Sequence, residues 1–323
     1  MKAAVHTTYG PPDVVQIAEV PKPQPGDNEI VVEVHATTVN QTDCAYRMAR
    51  PWFIRTSTGL RKPKVTVLGN EFAGRIESIG SAVTSFAAGD RVFGYCEGSF
   101  GAHAEYVLIS HDGMVATIPS GLSFEQAAPG TEGAHYALTF ITRAGIRPGH
   151  HVLVNGATGA IGSAAIQLLK SLGATVTGVC ASENVALVKH LGADRVIDYR
   201  TEDFTASRDS YDAIIDAVGK STFARCKHLL KPRGIYSSSE LGPYGQNLVL
   251  ALVTPALRGR RVVFPFPQQG AHIMARLQQL MQRGEFVPVI DRRFALDDIV
   301  AAYRYVESGE KIGNVVITVT QPS

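Results

Sequence analysis

The chain is 323 residues long, a length that suggests two domains, and its 45% apolar and 19% charged residues are ordinary globular proportions. Lys plus Arg (31) nearly balances Asp plus Glu (29), which removes any bulk electrostatic case for nucleic acid or an anionic membrane. No secretory h-region follows Met1, the apolar stretch 248–253 is far short of the roughly 20 residues of a membrane span, and four scattered cysteines (Cys44, Cys96, Cys180, Cys226) suit free thiols in a reducing cytoplasm.

Residues up to about 122 read as β-rich. The segment 29–35 alternates as a half-buried strand does, Gly10-Pro11-Pro12 and Gly89-Asp90 supply turns, and strands are expected at 72–79, 91–95 and 104–109. That spacing is that of a small β-barrel or sandwich. From Gly149 short apolar runs (151–155, 175–180, 195–198, 211–218, 234–238, 261–266) alternate with helical stretches (160–172, 183–191, 221–230, 247–258). Ile161, Ala165, Leu168 and Leu172 share one face of the first helix. Alternation of this kind implies right-handed crossovers and a doubly wound parallel sheet of six strands. The tail predicts a helix over 272–283, a helix over 294–308 opened by Leu296-Asp297-Asp298, and a strand over 314–319 that returns to the N-terminal unit. The expected class is α/β, with a discontinuous β-rich domain (1–122 and 269–323) and a dinucleotide-binding domain (123–268).

The strongest chemical signal is Val154-Asn155-Gly156-Ala157-Thr158-Gly159-Ala160-Ile161-Gly162, between an apolar strand and an amphipathic helix. Gly159 lets the backbone approach a pyrophosphate, Gly162 lets the helix pack closely, and the helix N-terminus offers amides to the anion. Ala157 replaces the first glycine of the usual motif. An NAD-dependent enzyme places an acid about 20 residues later, at the end of the second strand. Here that strand ends Cys180-Ala181-Ser182-Glu183-Asn184, where the Ser182 hydroxyl suits a 2′-phosphate, and Tyr199-Arg200 add a phenol and a cation. Glu183 argues the other way. NADPH is therefore expected in preference to NADH.

Taken together, Val39-Asn40-Gln41-Thr42-Asp43, Leu68-Gly69-Asn70-Glu71-Phe72-Ala73-Gly74, Ala87-Ala88-Gly89-Asp90-Arg91-Val92, Gly101-Ala102-His103-Ala104-Glu105-Tyr106-Val107, the glycine loop, Leu191-Gly192-Ala193-Asp194 and Gly309-x-x-x-Gly313 are similar to the medium-chain dehydrogenase/reductase superfamily. Within it the chain resembles the zinc-independent quinone oxidoreductase and enone reductase group, which includes zeta-crystallin. The resemblance covers nearly the whole chain. It implies a GroES-like catalytic domain that holds substrate against the nicotinamide in an interdomain cleft. Zinc alcohol dehydrogenases of the superfamily place Cys where this chain has Asn40 and His where it has Asn70, and carboxamides are poor zinc ligands. Their structural zinc needs four closely spaced cysteines after about residue 90, where only Cys96 stands. No metal is expected at either site.

Without a Lewis acid the substrate must already be electrophilic, as quinones and α,β-unsaturated carbonyls are, and hydrogen-bond donors then stabilise the developing oxyanion. The resemblance assigns Asn40 to the nicotinamide or substrate pocket; Tyr46 is the phenol expected nearest the substrate, Asp43 an orienting group, and His135, where relatives commonly carry Thr, a potential acid at the cleft. The resemblance places Thr131 beside the nicotinamide and Ala160 and Ile161 at the pyrophosphate, beside Gly156, Ala157, Thr158, Gly159 and Gly162 of the loop, while the strand-end positions read above put Ser182, Asn184 and Tyr199 near the 2′ position. Val218, Gly219 and Ser238 follow at later strand ends. Trp52, Phe53 and the basic residues Arg50, Arg55, Arg61, Lys62 and Lys64 form either an aromatic-basic lid or a solvated loop.

The expected function is NADPH-dependent reduction of a small electrophilic substrate. The rivals are a metal-free carbonyl reductase or alcohol dehydrogenase, and a non-catalytic NADPH-binding regulatory protein. The strand expected over 261–266 ends the sheet, and relatives often dimerise across this edge, so a homodimer is expected, with Pro265 and Pro267 limiting the ladder.

Overall fold

The computed structural model describes residues 1–96, 98–266 and 270–320. Strands β1 (Lys2–His6) and β2 (Val15–Glu19) pair antiparallel. The long strand β3 (Glu29–Val39) organises a second, seven-stranded sheet. Helices α1 (Gln41–Met48) and α2 (Ile54–Thr58) follow it, and β4 (Glu71–Ile79) then pairs antiparallel with β3. On the far side of β4 lies β5 (Arg91–Tyr95), β6 (Tyr106–Ser110) returns to β3, and β7 (Val115–Thr117) pairs with β5. One side of this sheet buries Ile30, Val32, Val34, Phe72, Ile76 and Val92 together, the alternation that 29–35 announces. The strand expected over 104–109 begins two residues later, because Ala104 instead bridges to Ala3.

Helix α3 (Phe124–Ala127) leads into α4 (Glu132–Arg143) and the parallel region. There β8 (His151–Asn155), α5 (Ala160–Ser171), β9 (Thr175–Cys180), α6 (Val185–His190), β10 (Arg195–Asp198) and β11 (Tyr211–Asp216) succeed one another. They are followed by α7 (Phe223–Cys226), β12 (Leu230–Ser238), α8 (Gln246–Val253) and β13 (Arg261–Val263). The six strands are all parallel in the order β10-β9-β8-β11-β12-β13, the doubly wound arrangement of a dinucleotide fold. Covered on both faces, they read as continuous apolar runs, and Leu153, Val179, Ile197, Ile214, Tyr236 and Val262 meet in one core.

The tail supplies α9 (Ala271–Gln282), β14 (Ile290–Ala295), α10 (Ile299–Ser308) and β15 (Asn314–Thr318). As expected, the last strand returns to the first sheet, antiparallel to β3, and β14 adds beside it in parallel. The helix expected from residue 294 starts later, because Phe294 and Ala295 pair with Ile317 and Thr318. The strand expected over 261–266 stops at Val263, where Pro265 has no N–H to donate and Phe264 and Phe266 close a turn. Pro267 lies outside the described residues.

The chain divides into two compact units, Met1–Glu132 with Gln269–Ser323, and Gly133–Gln268. The first unit runs past residue 122 because α3 is bound to its sheet. Phe124 stacks on His35 at 4.2 Å, and Glu125 accepts bonds from Arg293 and Thr318.

Candidate active site

The site begins where β3 ends and α1 starts. Asn40 is the N-cap of α1: its Oδ1 accepts from Asp43 N (3.0 Å), and Asp43 Oδ2 accepts from Asn40 N (3.1 Å). This reciprocal pair leaves the Asn40 carboxamide one orientation, in which Nδ2 donates to Asn70 Oδ1 at 2.7 Å. Asp43 is fully buried, and its other oxygen accepts from Gly69 N (3.0 Å), tying α1 to the segment ahead of β4. Burial, with Glu132's charge adding, raises the Asp43 carboxyl well above the usual carboxylate range. Asp43 thus orients backbone. His103, pushed down to about 4 by burial, is neutral beside it and bonds the Thr38 carbonyl through Nε2 (2.7 Å).

Glu71 opens β4 and is 1% exposed. Its carboxylate collects Thr38 Oγ1 (2.6 Å), Thr131 Oγ1 (2.7 Å), Thr131 N (3.2 Å) and Glu132 N (2.7 Å). The same cluster holds a second acid. Glu132 accepts from Thr42 Oγ1 (2.5 Å) at one oxygen and from Asn70 Nδ2 (3.3 Å) at the other, while Asn70 Nδ2 also lies 3.4 Å from Tyr95 OH. Burial raises Glu132 to about 7, and the charge of Glu71 adds to this, against the hydrogen bonds from Thr42 and Asn70 and the cation of Lys311. Lys311 donates to Gly313 O (2.7 Å), and burial lowers its pKa against the opposing pull of the two glutamates.

In the second unit β8 leads into a turn that faces the N-terminus of α5. A Cβ on Gly162 would lie 2.0 Å from Gly156 O, so only glycine allows this closure. Gly156 sits at φ 82° with Val218 against it, so a side chain there would be strained as well as crowded. Gly159 is the N-cap of α5, where a Cβ would meet only Gly156 O at 3.7 Å and the first amides of the helix lack intrahelical acceptors. Ser239 Oγ, after β12, is buried with no hydrogen-bond partner among the described residues. A helix N-terminus with free amides and an unspent hydroxyl after β12, two strands from β8 in the same sheet, fit a dinucleotide.

Two family models match, the alcohol dehydrogenase GroES-like domain over residues 26–120 and the zinc-binding dehydrogenase over residues 191–317. The chain is 30% identical to the 2-methylene-furan-3-one reductase of Solanum lycopersicum, over 98% of this chain and 79% of that protein. It is also 30% identical to the chloroplastic quinone-oxidoreductase of Triphysaria versicolor, over 98% of each. The solved quinone oxidoreductase of Coxiella burnetii superposes with a TM-score of 0.88 at 30% identity, covering 99% of both chains. The chain belongs to the medium-chain dehydrogenase/reductase superfamily, in its quinone oxidoreductase group.

Against that family's pattern, the residues named from sequence fall into distinct environments. Asn40 lies in the buried network. Tyr46 is half-buried, its ring 4.6 Å from Phe100 and packed on the core around Tyr303. His135 is 1% exposed on α4, 4.8 Å from the ring of Tyr136. Thr131 is fully buried with both its N–H and its hydroxyl committed to Glu71. Ser182 donates to Asp198 (2.5 Å), Arg200 pairs with Glu183 (2.8 Å), and Asn184 precedes α6 without a side-chain capping bond. Tyr199 is exposed, Val218 abuts Gly156, Gly219 holds φ 64°, and Ser238 accepts from Glu240 N (3.2 Å). Trp52 is 74% exposed, and Phe53 is also exposed. All four cysteines are free and buried, and burial raises each thiol, Cys96 to about 12 and Cys226 to about 11, so none is a ready nucleophile.

Sequence reasoning gave no role to Thr42, Tyr95, Glu132 or Lys311. A signal existed for one of them: Glu132 is the single charge in the otherwise small and apolar run 127–134. Among the described residues, no helix is long and apolar enough to cross a membrane, and no group of three His, Cys, Asp or Glu side chains is placed to hold a metal ion.

Proposed function

We propose that this oxidoreductase uses NADPH to reduce quinones or α,β-unsaturated carbonyls by direct hydride transfer, without zinc. The observation that carries the reading is the Asn40–Asn70 carboxamide pair, 2.7 Å apart and buried. It stands where zinc dehydrogenases need a thiolate and an imidazole, and carboxamides suit neither role. Asn40 Nδ2 gives one N–H to Asn70, and its second N–H is left for the oxygen of a substrate. Such a donor stabilises an oxyanion that forms as the ring or alkene accepts hydride. Reduced nicotinamide supplies that hydride. The relatives agree in kind: one is named an NADPH-dependent alkenal/one oxidoreductase (Arabidopsis thaliana) and others are named quinone oxidoreductases. With an enone as substrate, deuterium at C4 of NADPH should appear at the β carbon of the product, with a chelator present throughout. Product without the label, or no turnover under chelation, would contradict the reading.

The preference for NADPH rests on Ser182, Tyr199 and Arg200, and Glu183 works against it by occupying Arg200. A 2′-phosphate would draw the guanidinium away from that exposed carboxylate. Glu183→Gln is therefore expected to raise the ratio of kcat/KM for NADPH over NADH by about fivefold, the scale of an exposed ion pair released to a phosphate. An unchanged ratio, or a shift towards NADH, would show that Arg200 does not face the phosphate.

A homodimer is also proposed, on a modified basis. The edge strand β13 is short, and Val262 N already donates to Thr254 Oγ1 (2.8 Å), so the ladder has little to offer a partner. Beside it, α8 and the turn after it leave Val249, Leu252, Val253 and Leu257 exposed, Leu252 at 83%. An apolar cluster on one face supports self-association. Leu252→Asp is expected to convert a dimer to monomers in sedimentation equilibrium; a wild-type monomer would end the proposal. The four reduced thiols suit a cytoplasmic setting, which we propose.

A further inference from the structure

We infer that Glu132 is the acid that supplies the proton in this reduction, delivering it through the hydroxyl of Thr42. The inference rests on the reductase reading above and adds to it the group that completes the reaction.

The geometry comes from three elements. Glu132 is the first residue of α4 and is 8% exposed. Its backbone N–H is fixed to Glu71, which sets the direction of its side chain. Its two oxygens then meet Asn70 Nδ2 and Thr42 Oγ1. Asn70 in turn accepts from Asn40, so one carboxyl group supports the oxyanion donor on one side and contacts a hydroxyl on the other. Thr42 lies two residues beyond Asn40 and is half-buried, whereas Glu132 is nearly enclosed. A hydroxyl that bridges an enclosed acid to a more open position is a proton conductor by construction, since it accepts one proton as it gives up another. The amides of Asn70 and Asn40 cannot do this. They orient, and Thr42 transfers.

Hydride addition to the electrophilic carbon moves an electron pair onto the conjugated carbonyl oxygen, giving an enolate; from a quinone, the protonated form then tautomerises to the hydroquinone. The Thr42 hydroxyl proton passes to that oxygen as the Glu132 proton passes to Thr42 Oγ1. The products are the reduced neutral substrate, oxidised nicotinamide and the Glu132 carboxylate, which is reprotonated from water before the next turnover. An acid near 7 is matched to this duty: burial places Glu132 there. The titratable groups facing it are Glu71 from β4, Asp43 from α1, Tyr95 from β5 (through Asn70) and Lys311 from the segment ahead of β15. Glu71 opposes its ionisation and Lys311 favours it. Both hold the carboxyl in this range only while it remains buried.

Two readouts test the inference, one of them independent of turnover. Infrared difference spectra of the protein without substrate, titrated across neutral pH, should show a protonated-carboxyl stretch lost with a midpoint near the Glu132 value. Glu132→Gln should abolish that band, and Thr42→Val should keep it. In turnover with an accepted quinone or enone, the wild-type rate should fall as pH rises through the same midpoint, because the acid form is the donor. Both variants should lose that dependence and about tenfold or more in kcat, with KM little changed, and Thr42→Ser should restore both. A band that survives Glu132→Gln, or a Glu132→Gln enzyme with the wild-type pH profile, would overturn the assignment. If no quinone or enone is reduced while the band behaves as stated, the reductase reading fails and the titrating acid stands.

Discussion

Asn40→Ser is expected to lower kcat for quinone or enone reduction by about 100- to 1,000-fold, the effect of removing one donor from an oxyanion site. Serine is the informative replacement. It is as good an N-cap as asparagine, so α1 keeps its first turn, and what is lost is the amide that reaches Asn70. Asn40→Ala would combine the two losses, adding about 1 kcal/mol of destabilisation through the missing cap. KM for the nicotinamide should not move in Asn40→Ser, because the cofactor loop lies in the other unit. A serine variant with wild-type kcat would show that the carboxamide does not face the substrate oxygen, and the proposed chemistry would lose its principal support.

Glu71→Ala should be the most destabilising single change in the site. Its carboxylate accepts from two threonine hydroxyls and two backbone N–H groups, all inside the protein, and alanine would leave all four donors without an acceptor. Orphaning buried donors of this kind costs about 3–5 kcal/mol in total. In the melting curve of a chain this long that is a fall in Tm of about 4–7 °C. Glu19, with 81% of its side chain exposed, is the control: Glu19→Ala should move Tm by less than about 2 °C. A Glu71→Ala protein with the parental Tm would mean that the network relaxes or admits water at no cost. Thr131 and Glu132 are both positioned by this carboxylate through their backbone N–H groups, so its loss also displaces the site.

Parts of this architecture are legible in the sequence for a simple reason. The strands over 151–155, 175–180 and 195–198 match β8, β9 and β10 to the residue; for β8 and β9 this is because a strand inside the sheet, covered on both faces, is mostly apolar and ends at its turn. The glycine loop is legible because close packing at Gly162 and positive φ at Gly156 leave little choice of residue. Helix α1 is absent from the sequence expectations, although Asn40 and Asp43 at cap and third position carry its signature, because the helix is too short to show apolar periodicity. The stretch 294–308 misled because Phe294 is at once a plausible helical residue and a strand residue, and only its pairing with Ile317 decides between them. The acid pair Glu71 and Glu132, with Lys311 beside it, could not be read in advance. Those residues are separated by tens to hundreds of positions, and they meet only because β4, the turn 128–130 ahead of Glu132 and the returning tail all pack around β3. The Thr42–Glu132 contact is of the same kind.

The central claim is that the enzyme reduces electrophiles that need no Lewis acid. The direct test is the loss of NADPH absorbance with a simple quinone, an enone and a saturated aldehyde, each with and without a chelator, and with NADH in parallel. Turnover of the quinone or the enone that is indifferent to the chelator and faster with NADPH is the predicted result. Turnover of the saturated aldehyde alone, or activity that disappears on chelation, would contradict the claim and identify a dehydrogenase of a different kind.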